Sequence, residues 1–397
     1  MRIARRLEGV TYAIRDVVLE AQKLEKLGHK VLKLNIGDPN AYDLDTPEYI
    51  KDALDQAVRS GHNGYSDSQG FLPLREEVCH YNQSKGFQST ADNVVVTSGL
   101  SEGVNLLLGA IVEPGNNVVM PSPCYPMYDA FVSYYGGEKR LAAMDESNNW
   151  APDIDDLRKK VDENTRAIVV INPNNPTGAL YPEKTLREVI DVAGEYGVPI
   201  LADEIYDELV YEKPHKAIAS LTKDVPVVAM NGLSKNFIAP GWRIGWITFC
   251  NFPDDTLRNA FLQLCRIRLS SSFPAQVASA EALRNTKAYS DAKADFIPKL
   301  RKRRDITYKR LNEIPGLSCV KPEGAFYAFP RINEGPWPTD KEFVLQLLRE
   351  KHVLTVYGIG FSQPPNTKHF RTVFLPNEEI LEESFNRIEA FMKENVK

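Results

Sequence analysis

The segment Asn231-Gly-Leu-Ser-Lys-Asn-Phe-Ile-Ala-Pro-Gly-Trp-Arg-Ile-Gly-Trp246 places a lysine and an arginine in one glycine-broken stretch. The apolar run 225–230 precedes it and predicts a buried strand, with Lys235 on a loop at the strand's carboxyl end. A lysine that is held among apolar side chains, with Arg243 as a second cation nearby, loses proton affinity and becomes a usable amine nucleophile. The segment therefore favours a nucleophilic lysine beside an anion-binding arginine.

Composition limits the classes of protein to consider. The chain has 397 residues, 43% of them hydrophobic, which is enough for two domains or for one large and one small domain. Its formal charge of −5 argues against a nucleic-acid partner, because binding a phosphate backbone needs clustered lysine and arginine. The basic run 299–304 is the one exception, and its spacing indicates the exposed face of a helix.

Cysteine usage and the chain's start predict a cytoplasmic protein without a disulfide framework, a metal site or a membrane partner. The cysteines are odd in number and form no C-x-x-C pair. The basic start is not followed by an apolar signal region, and no apolar run reaches the length of a membrane span. The five cysteines are Cys79, Cys124, Cys250, Cys265 and Cys319.

Alternating apolar runs and helical patterns predict an α/β fold. The runs 94–97, 118–120, 167–171 and 198–202 are continuous and lie between helical segments, as is typical of a parallel sheet covered on both faces. A long helical stretch is expected over 274–312. Short apolar runs after it indicate a second, smaller α+β domain.

Polar residues follow several of these predicted strands. Ser98-Gly-Leu-Ser101 lies between a strand and a helix, where free N–H groups can bind an anion, although Ser101 could equally be a helix cap. Asn172–Gly178 has the composition of a plain turn, and Asp203 could be a helix N-cap. For Arg371, considered in isolation, a surface salt bridge is favoured over a ligand contact. No P-loop or dinucleotide-binding motif occurs, which weakens a nucleotide-dependent function.

Together these motifs resemble the signature of the class I and II aminotransferases. The residues that carry the resemblance are Ser-Lys followed by Pro-Gly-X-Arg-X-Gly, Asn-Pro-Thr-Gly at 175–178 and Asp-Glu-Ile-Tyr at 203–206. The resemblance covers nearly the whole chain. It implies a fold-type I enzyme dependent on pyridoxal phosphate, with a mostly parallel seven-stranded sheet flanked by helices. The expected parts are an N-terminal arm with part of the small domain (1–40), a large cofactor-binding domain (41–285) and a small C-terminal domain (286–397).

The resemblance implies two groups of cofactor-binding residues, the first around the phosphate. Arg243 would bind the phosphate together with Ser234, Leu100 and Ser101. Tyr65 would reach the phosphate of the neighbouring subunit, which makes the expected protein a homodimer with shared active sites. Many members of the family have a serine three residues before the lysine as a further phosphate ligand. This chain has a glycine at that position, residue 232.

The second group surrounds the cofactor ring. Lys235 would carry the cofactor covalently and act as the catalytic base, and Asp203 would pair with the pyridinium nitrogen. Asn175 and Tyr206 would donate hydrogen bonds to the phenolic oxygen. Tyr125 would stack on the ring, although an aromatic residue beside prolines is more often only packed. No metal is expected.

Substrate contacts follow from the same resemblance. Arg371 would hold the α-carboxylate through its planar fork of donors, with Gly37 and Asn175 nearby. Tyr12 and Arg15, on the N-terminal arm, would close over the site and exclude water.

The expected substrates are amino acids and 2-oxo acids. Closer similarity, in the runs 12–15, 34–39, 171–178, 203–206 and 231–235, is to the alanine aminotransferases of archaea and their bacterial relatives. That similarity implies transfer from L-alanine to 2-oxoglutarate in a ping-pong cycle. Arg15, Arg266 and Arg268 are candidates for binding the distal carboxylate. The alternatives are an aromatic or broad-specificity aminotransferase, a β-eliminating lyase on the same fold and a non-enzymatic regulator that keeps the cofactor fold.

Overall fold

A computed structural model gives the fold of residues 4–7 and 13–396; the side chains of residues 5 and 13–16 are not described. Thirteen α-helices occur in this part of the chain. They are α1 (Ala13–Lys26), α2 (Glu48–Arg59), α3 (Leu72–Ser84), α4 (Leu100–Ile111), α5 (Pro126–Tyr134), α6 (Ile154–Lys160), α7 (Glu183–Tyr196), α8 (Leu233–Asn236), α9 (Thr256–Ile267), α10 (Phe273–Arg284), α11 (Thr286–Glu313), α12 (Asp340–Lys351) and α13 (Glu378–Asn395).

The same residues form fifteen strands. They are β1 (Leu32–Lys33), β2 (Val94–Thr97), β3 (Asn117–Ser122), β4 (Glu138–Asp145), β5 (Ala151–Pro152), β6 (Thr165–Ile171), β7 (Ile200–Asp203), β8 (Val227–Gly232), β9 (Gly245–Cys250), β10 (Leu317–Ser318), β11 (Tyr327–Ala328), β12 (Arg331–Ile332), β13 (Val353–Leu354), β14 (Val356–Tyr357) and β15 (Phe370–Val373).

The central sheet has the order β2-β9-β8-β7-β6-β3-β4-β5. Strands β8, β7, β6, β3 and β4 are parallel to one another, whereas β9 is antiparallel to both of its neighbours. The predicted α/β fold with a mostly parallel sheet is therefore confirmed. Seven strands have four residues or more, as predicted. The eighth, β5, is a two-residue edge strand antiparallel to β4 that the sequence did not indicate.

Burial explains which strands could be predicted. Every residue of β2, β3, β7, β8 and β9 is buried, because helices cover both faces of the sheet, and these strands are the continuous apolar runs of the sequence. Strand β4 lies near the edge, and half of its residues are exposed. Its polar sequence gave no apolar run and was missed.

Smaller sheets form from the C-terminal part of the chain. Strands β11, β15 and β14 make an antiparallel sheet in that order. Strand β1 pairs in parallel with β13, so the segment before Gly37 shares a sheet with residues 353–354. The domain limits at 40 and 285 remain predictions.

The helical stretch predicted over 274–312 is two helices. Asn285 separates α10 from α11, and its side-chain oxygen accepts a hydrogen bond from the N–H of Ala288, so it caps the second helix. Pro298 lies inside α11 without ending it. Among the described residues, no helix combines the length and the apolar character that a bilayer span requires.

Candidate active site

A cavity of about 290 Å³ opens where the carboxyl ends of β2, β3, β6, β7 and β8 meet. Eleven of its lining residues were predicted as site residues: Gly37, Leu100, Ser101, Tyr125, Asn175, Asp203, Tyr206, Ser234, Lys235, Arg243 and Arg371. Parallel strands present their carboxyl ends at one edge of the sheet, which is why residues far apart in sequence converge here. The sequence did not single out the side chains of Asp38, Met127 and Tyr327, which also line the cavity.

Lys235 lies in α8, a single helical turn directly after β8, rather than on a loop as predicted. The N–H of Leu233, the first residue of the turn, donates to the carbonyl of Ile244, which extends the pairing between β8 and β9 by one residue. The Lys235 Nζ donates a hydrogen bond of 2.6 Å to the carbonyl oxygen of Gly37. Burial lowers the pKa of Lys235 to about 8; Asp38 opposes this effect, and nearby arginines add to it. About a tenth of the amine is therefore unprotonated at pH 7, far more than for an ordinary lysine.

Asp203 is the last residue of β7 and is buried. Its carboxylate accepts hydrogen bonds of 2.7 Å from the hydroxyl of Tyr128 and 3.3 Å from the N–H of Ile205. Burial raises the pKa of Asp203 to about 6; the two hydrogen bonds oppose this, and the charge of Lys235 opposes it least. The residues after it form a turn, so the alternative of a helix N-cap is wrong. A buried carboxylate with so little positive charge beside it is costly without a cationic partner.

The N-terminus of α4 and the guanidinium of Arg243 form an anion cradle. The helix begins after Gly99, which has φ of 75°, and the first N–H groups of a helix have no partner within it. A Cβ at Gly99 would lie 2.2 Å from Nη2 of Arg243, so only glycine allows the arginine this position. Arg243 also donates from Nη1 to the carbonyl of Pro240, at 2.9 Å. Ser101 and Ser234 line the same end of the cavity.

The glycine at position 232 lies outside this cradle. Its Cβ position would be 2.7 Å from the carbonyl oxygen of Ile244 and 2.9 Å from the Cα of Gly245 on the neighbouring strand. A serine here would require the two strands to move. The family's additional phosphate ligand therefore has no counterpart at this position.

Arg371 extends from β15 and is only 1% exposed, which excludes the alternative of a surface salt bridge. Its Nη1 donates to the side-chain oxygen of Asn175 at 3.1 Å, and its Nη2 donates to the carbonyl of Asn35 at 2.5 Å. Its Nε has no hydrogen-bond partner among the described residues. The guanidinium carbon lies 4.6 Å and 4.7 Å from the ring centroids of Tyr327 and Phe361. The guanidinium is thus held in position and still has an N–H donor available for a ligand.

Tyr206 and Tyr327 form a hydroxyl pair at the cavity wall, with 2.9 Å between their oxygens. A Cβ at Gly37 would lie 2.1 Å from the hydroxyl of Tyr327, so the glycine allows the tyrosine to approach. The apolar run 325–329 indicated only a strand in the small domain. Tyr128, the partner of Asp203, gave no separate signal either, because both partnerships join residues that are far apart in sequence.

Sequence and structural similarity agree on the family. The family model described as "Aminotransferase class I and II" matches residues 29–388 of this chain. The chain belongs to the class I and II aminotransferases. Alanine aminotransferase of Mycobacterium bovis is 38% identical over 98% of this chain and 91% of its own length. Glutamate-pyruvate aminotransferase of Haemophilus influenzae is also 38% identical, over 98% of this chain and 97% of its own. The structure of alanine aminotransferase from Pyrococcus furiosus superposes with a TM-score of 0.96 and 49% identity, covering 99% of this chain and all of that one.

Other predicted residues of this aminotransferase lie outside the cavity. Tyr65 is 80% exposed. Arg266 is exposed on α9. Arg268 donates to the carbonyl of Val96 at 2.8 Å and lies 3.2 Å from the carboxylate of Glu102, behind the anion cradle, so it does not line the cavity.

Tyr12 and the side chain of Arg15 lie outside the described residues. The prediction that they close over the site stays a prediction.

Proposed function

We propose that this aminotransferase uses pyridoxal phosphate to move an amino group from L-alanine to 2-oxoglutarate, giving pyruvate and L-glutamate. The observation that carries the cofactor is the position of one half-buried amine, Lys235, in the same cavity as an anion cradle and a buried carboxylate. The choice of alanine rests on the names of the similar proteins, an alanine aminotransferase and a glutamate-pyruvate aminotransferase.

The chemistry of the cavity fits the cofactor at both ends. The cradle of Arg243, Ser234 and the first turn of α4 offers positive charge and N–H donors to a phosphate. At the other end, Asp203 lacks a strong cationic partner, and a protonated pyridine nitrogen supplies one. Leu100, the first residue of α4, and Tyr125 also line the cavity. The cofactor supplies an electron sink for the charge that remains when a substrate loses its Cα proton.

The protein's own groups would bind the substrate and move its proton. Arg371 has an unpartnered Nε and a planar fork of donors, which suit an α-carboxylate. As an unprotonated amine, Lys235 would take the substrate's Cα proton, a role that its lowered pKa of about 8 favours. Asn175 and Tyr206 would donate to the cofactor's phenolic oxygen. A ping-pong cycle requires this one pocket to accept both a methyl and a carboxyethyl side chain.

We propose that the active unit is a homodimer in the cytoplasm. Tyr65 is large and exposed, and the adjacent Ser66 bonds to Ser270 at 3.3 Å, which joins this loop to the segment after α9. Ile267, the last residue of α9, and Leu269, just after it, are 80% and 51% exposed. A second copy of the chain would cover this apolar surface, and Tyr65 would then reach the partner's phosphate cradle.

A panel of half-reactions tests the proposed function. Purified protein loaded with pyridoxal phosphate is mixed with single amino acids, and conversion of the cofactor to its amine form is followed by absorbance. We expect fast conversion with L-alanine and L-glutamate and slow conversion with aromatic amino acids. Inert alanine with fast tyrosine would replace the proposal with an aromatic aminotransferase. Release of ammonia from a cystathionine-type substrate would indicate a β-lyase.

A further inference from the structure

Tyr327 contacts two of the proposed functional groups at once. It begins strand β11, which pairs with β15, the strand that carries Arg371. Its hydroxyl is 2.9 Å from that of Tyr206, and its ring lies under the Arg371 guanidinium. On the basis of the proposed function, we infer that Tyr327 is a positioning residue: its hydroxyl directs the proton of Tyr206 into the cavity, and its ring fixes the plane of Arg371.

The argument for the hydroxyl is one of proton counting. Each phenol has one O–H to donate, so only one of the two can donate across the 2.9 Å contact. If Tyr206 donates to the cofactor's phenolic oxygen, the proton between the two tyrosines must belong to Tyr327. Tyr206 then accepts one hydrogen bond while it donates another, and acceptance strengthens donation in such a chain.

The argument for the ring is geometric. Arg371 lies between Tyr327 and Phe361, with both ring centroids within 5 Å of its guanidinium carbon. Attraction between a cation and an aromatic face is strongest when both are desolvated, and all three side chains are buried. Without the ring of Tyr327, one face of the guanidinium loses its support.

Several charges face this pair and are common to all the variants compared below. Asp203 and Lys235 come from the ends of β7 and α8, Arg371 from β15, and Asp38 from the segment before residue 40. Replacing a hydroxyl by hydrogen changes none of these charges. A change in titration can therefore be assigned to the lost hydrogen bond.

The hydroxyl is tested with Tyr327→Phe, Tyr206→Phe and the double variant, each loaded with pyridoxal phosphate. The readout is the pH midpoint of the bound cofactor's absorbance change. A donor to the phenolic oxygen stabilises its negative charge, so a weaker donor should raise the midpoint. We expect Tyr327→Phe to raise it by about 0.5 unit, which corresponds to part of one hydrogen bond. Tyr206→Phe should raise it more, and the double variant should match Tyr206→Phe alone.

Tyr211→Phe is the matched control. Tyr211 is also buried, and its hydroxyl donates to the backbone carbonyl of Ala325 without lining the cavity. It should leave the midpoint unchanged. An unchanged midpoint in Tyr327→Phe would overturn the inference. The inference would also fail if Tyr327→Phe raised the midpoint as much in the Tyr206→Phe background as in the unsubstituted protein.

The ring is tested with Tyr327→Leu. Tyr327→Phe keeps the ring and should leave KM for L-alanine within about twofold, whereas the leucine variant should raise KM about thirtyfold, the effect of one desolvated cation–π contact. Equal KM values in the two variants would contradict the role of the ring. If the unsubstituted protein does not bind the cofactor on Lys235, the proposed function fails instead, so the two failures are distinguishable.

Discussion

Two buried aspartates, Asp203 at the end of β7 and Asp207 in the turn that follows, have opposite electrostatic surroundings. Asp203 faces the cavity, and its burial raises its pKa to about 6. Asp207 is equally buried, and burial alone would raise its pKa, but Lys85, His215 and hydrogen bonds from Tyr81 and Asn231 together bring the pKa below the usual value. One carboxylate lacks a cation and the other has one.

The surroundings of Asp207 are complete within the protein. It accepts hydrogen bonds from Asn236 at 2.5 Å and Tyr81 at 2.6 Å, and it lies 3.1 Å from the Nζ of Lys85. Asn236 is the residue after Lys235, so this network fixes the turn that carries the lysine. The difference indicates two tasks: paired charges behind the turn stabilise the fold, and incompletely paired groups in front of it await a ligand.

Among the substitutions that test the difference between Asp203 and Asp207, Asp203→Asn should have the largest effect. The amide keeps the shape but removes the negative charge proposed to hold the pyridine nitrogen protonated, and losing one buried charge partner costs about 4 kcal/mol. We expect kcat/KM for L-alanine to fall about 10³-fold. Steady-state kinetics measure the loss. A variant within tenfold of the unsubstituted enzyme would show that Asp203 has no such partner.

The same residue should give the cofactor-free protein a distinct pH dependence. The folded-state pKa of Asp203 lies above the ordinary value, so its contribution to stability is complete below about pH 4 and is lost as the pH rises through about 6. The loss should reach about 3 kcal/mol of unfolding free energy. Urea unfolding of Asp203→Asn should lack this decline. Identical slopes between pH 4 and 6 in both proteins would contradict the raised pKa.

Arg371→Lys tests the clamp in front of the turn. Lysine keeps the charge but loses the planar fork and the contact with two ring faces. We expect kcat/KM for L-alanine to fall about 10²-fold, mainly through KM, because a bidentate ion pair is replaced by a point charge. Cofactor binding should be unchanged. A fall in cofactor affinity with KM preserved would assign the arginine to another role.

Apolar strand runs and short motifs predicted most of the fold and the cavity lining. The pairs that distinguish Asp203 from Asp207 were not predictable in this way. Tyr128 is 75 residues from Asp203, and Tyr81 is 126 residues from Asp207. Such partnerships depend on tertiary packing, and an isolated tyrosine carries no sign of its partner. Similarly, nothing local to Lys235 predicted the helical turn of its segment, because four residues are too few to show a helical period.

Among these substitutions, Asp207→Asn should have the smallest effect. Tyr81 and Asn236 donate to different oxygens of Asp207, and an amide has only one oxygen, so one of these bonds is lost; Lys85 keeps Glu208 as a partner. We expect a loss of about 2 kcal/mol of unfolding free energy, below the cost of leaving a buried charge unpaired. Chemical unfolding measures it, and Asp203→Asn at pH 7 is the matched control, which should not be destabilised. Equal destabilisation of both variants would contradict the account in which Asp207 stabilises the fold and Asp203 does not.

The central claim is that the incompletely paired side of the turn binds pyridoxal phosphate on Lys235. Its most direct test is to reduce the cofactor-loaded protein with borohydride and to map the modified peptide by mass spectrometry. We expect the cofactor on Lys235 in the unsubstituted protein and no fixed cofactor in Lys235→Ala. Cofactor fixed to a different lysine, or none fixed at all, would contradict the claim.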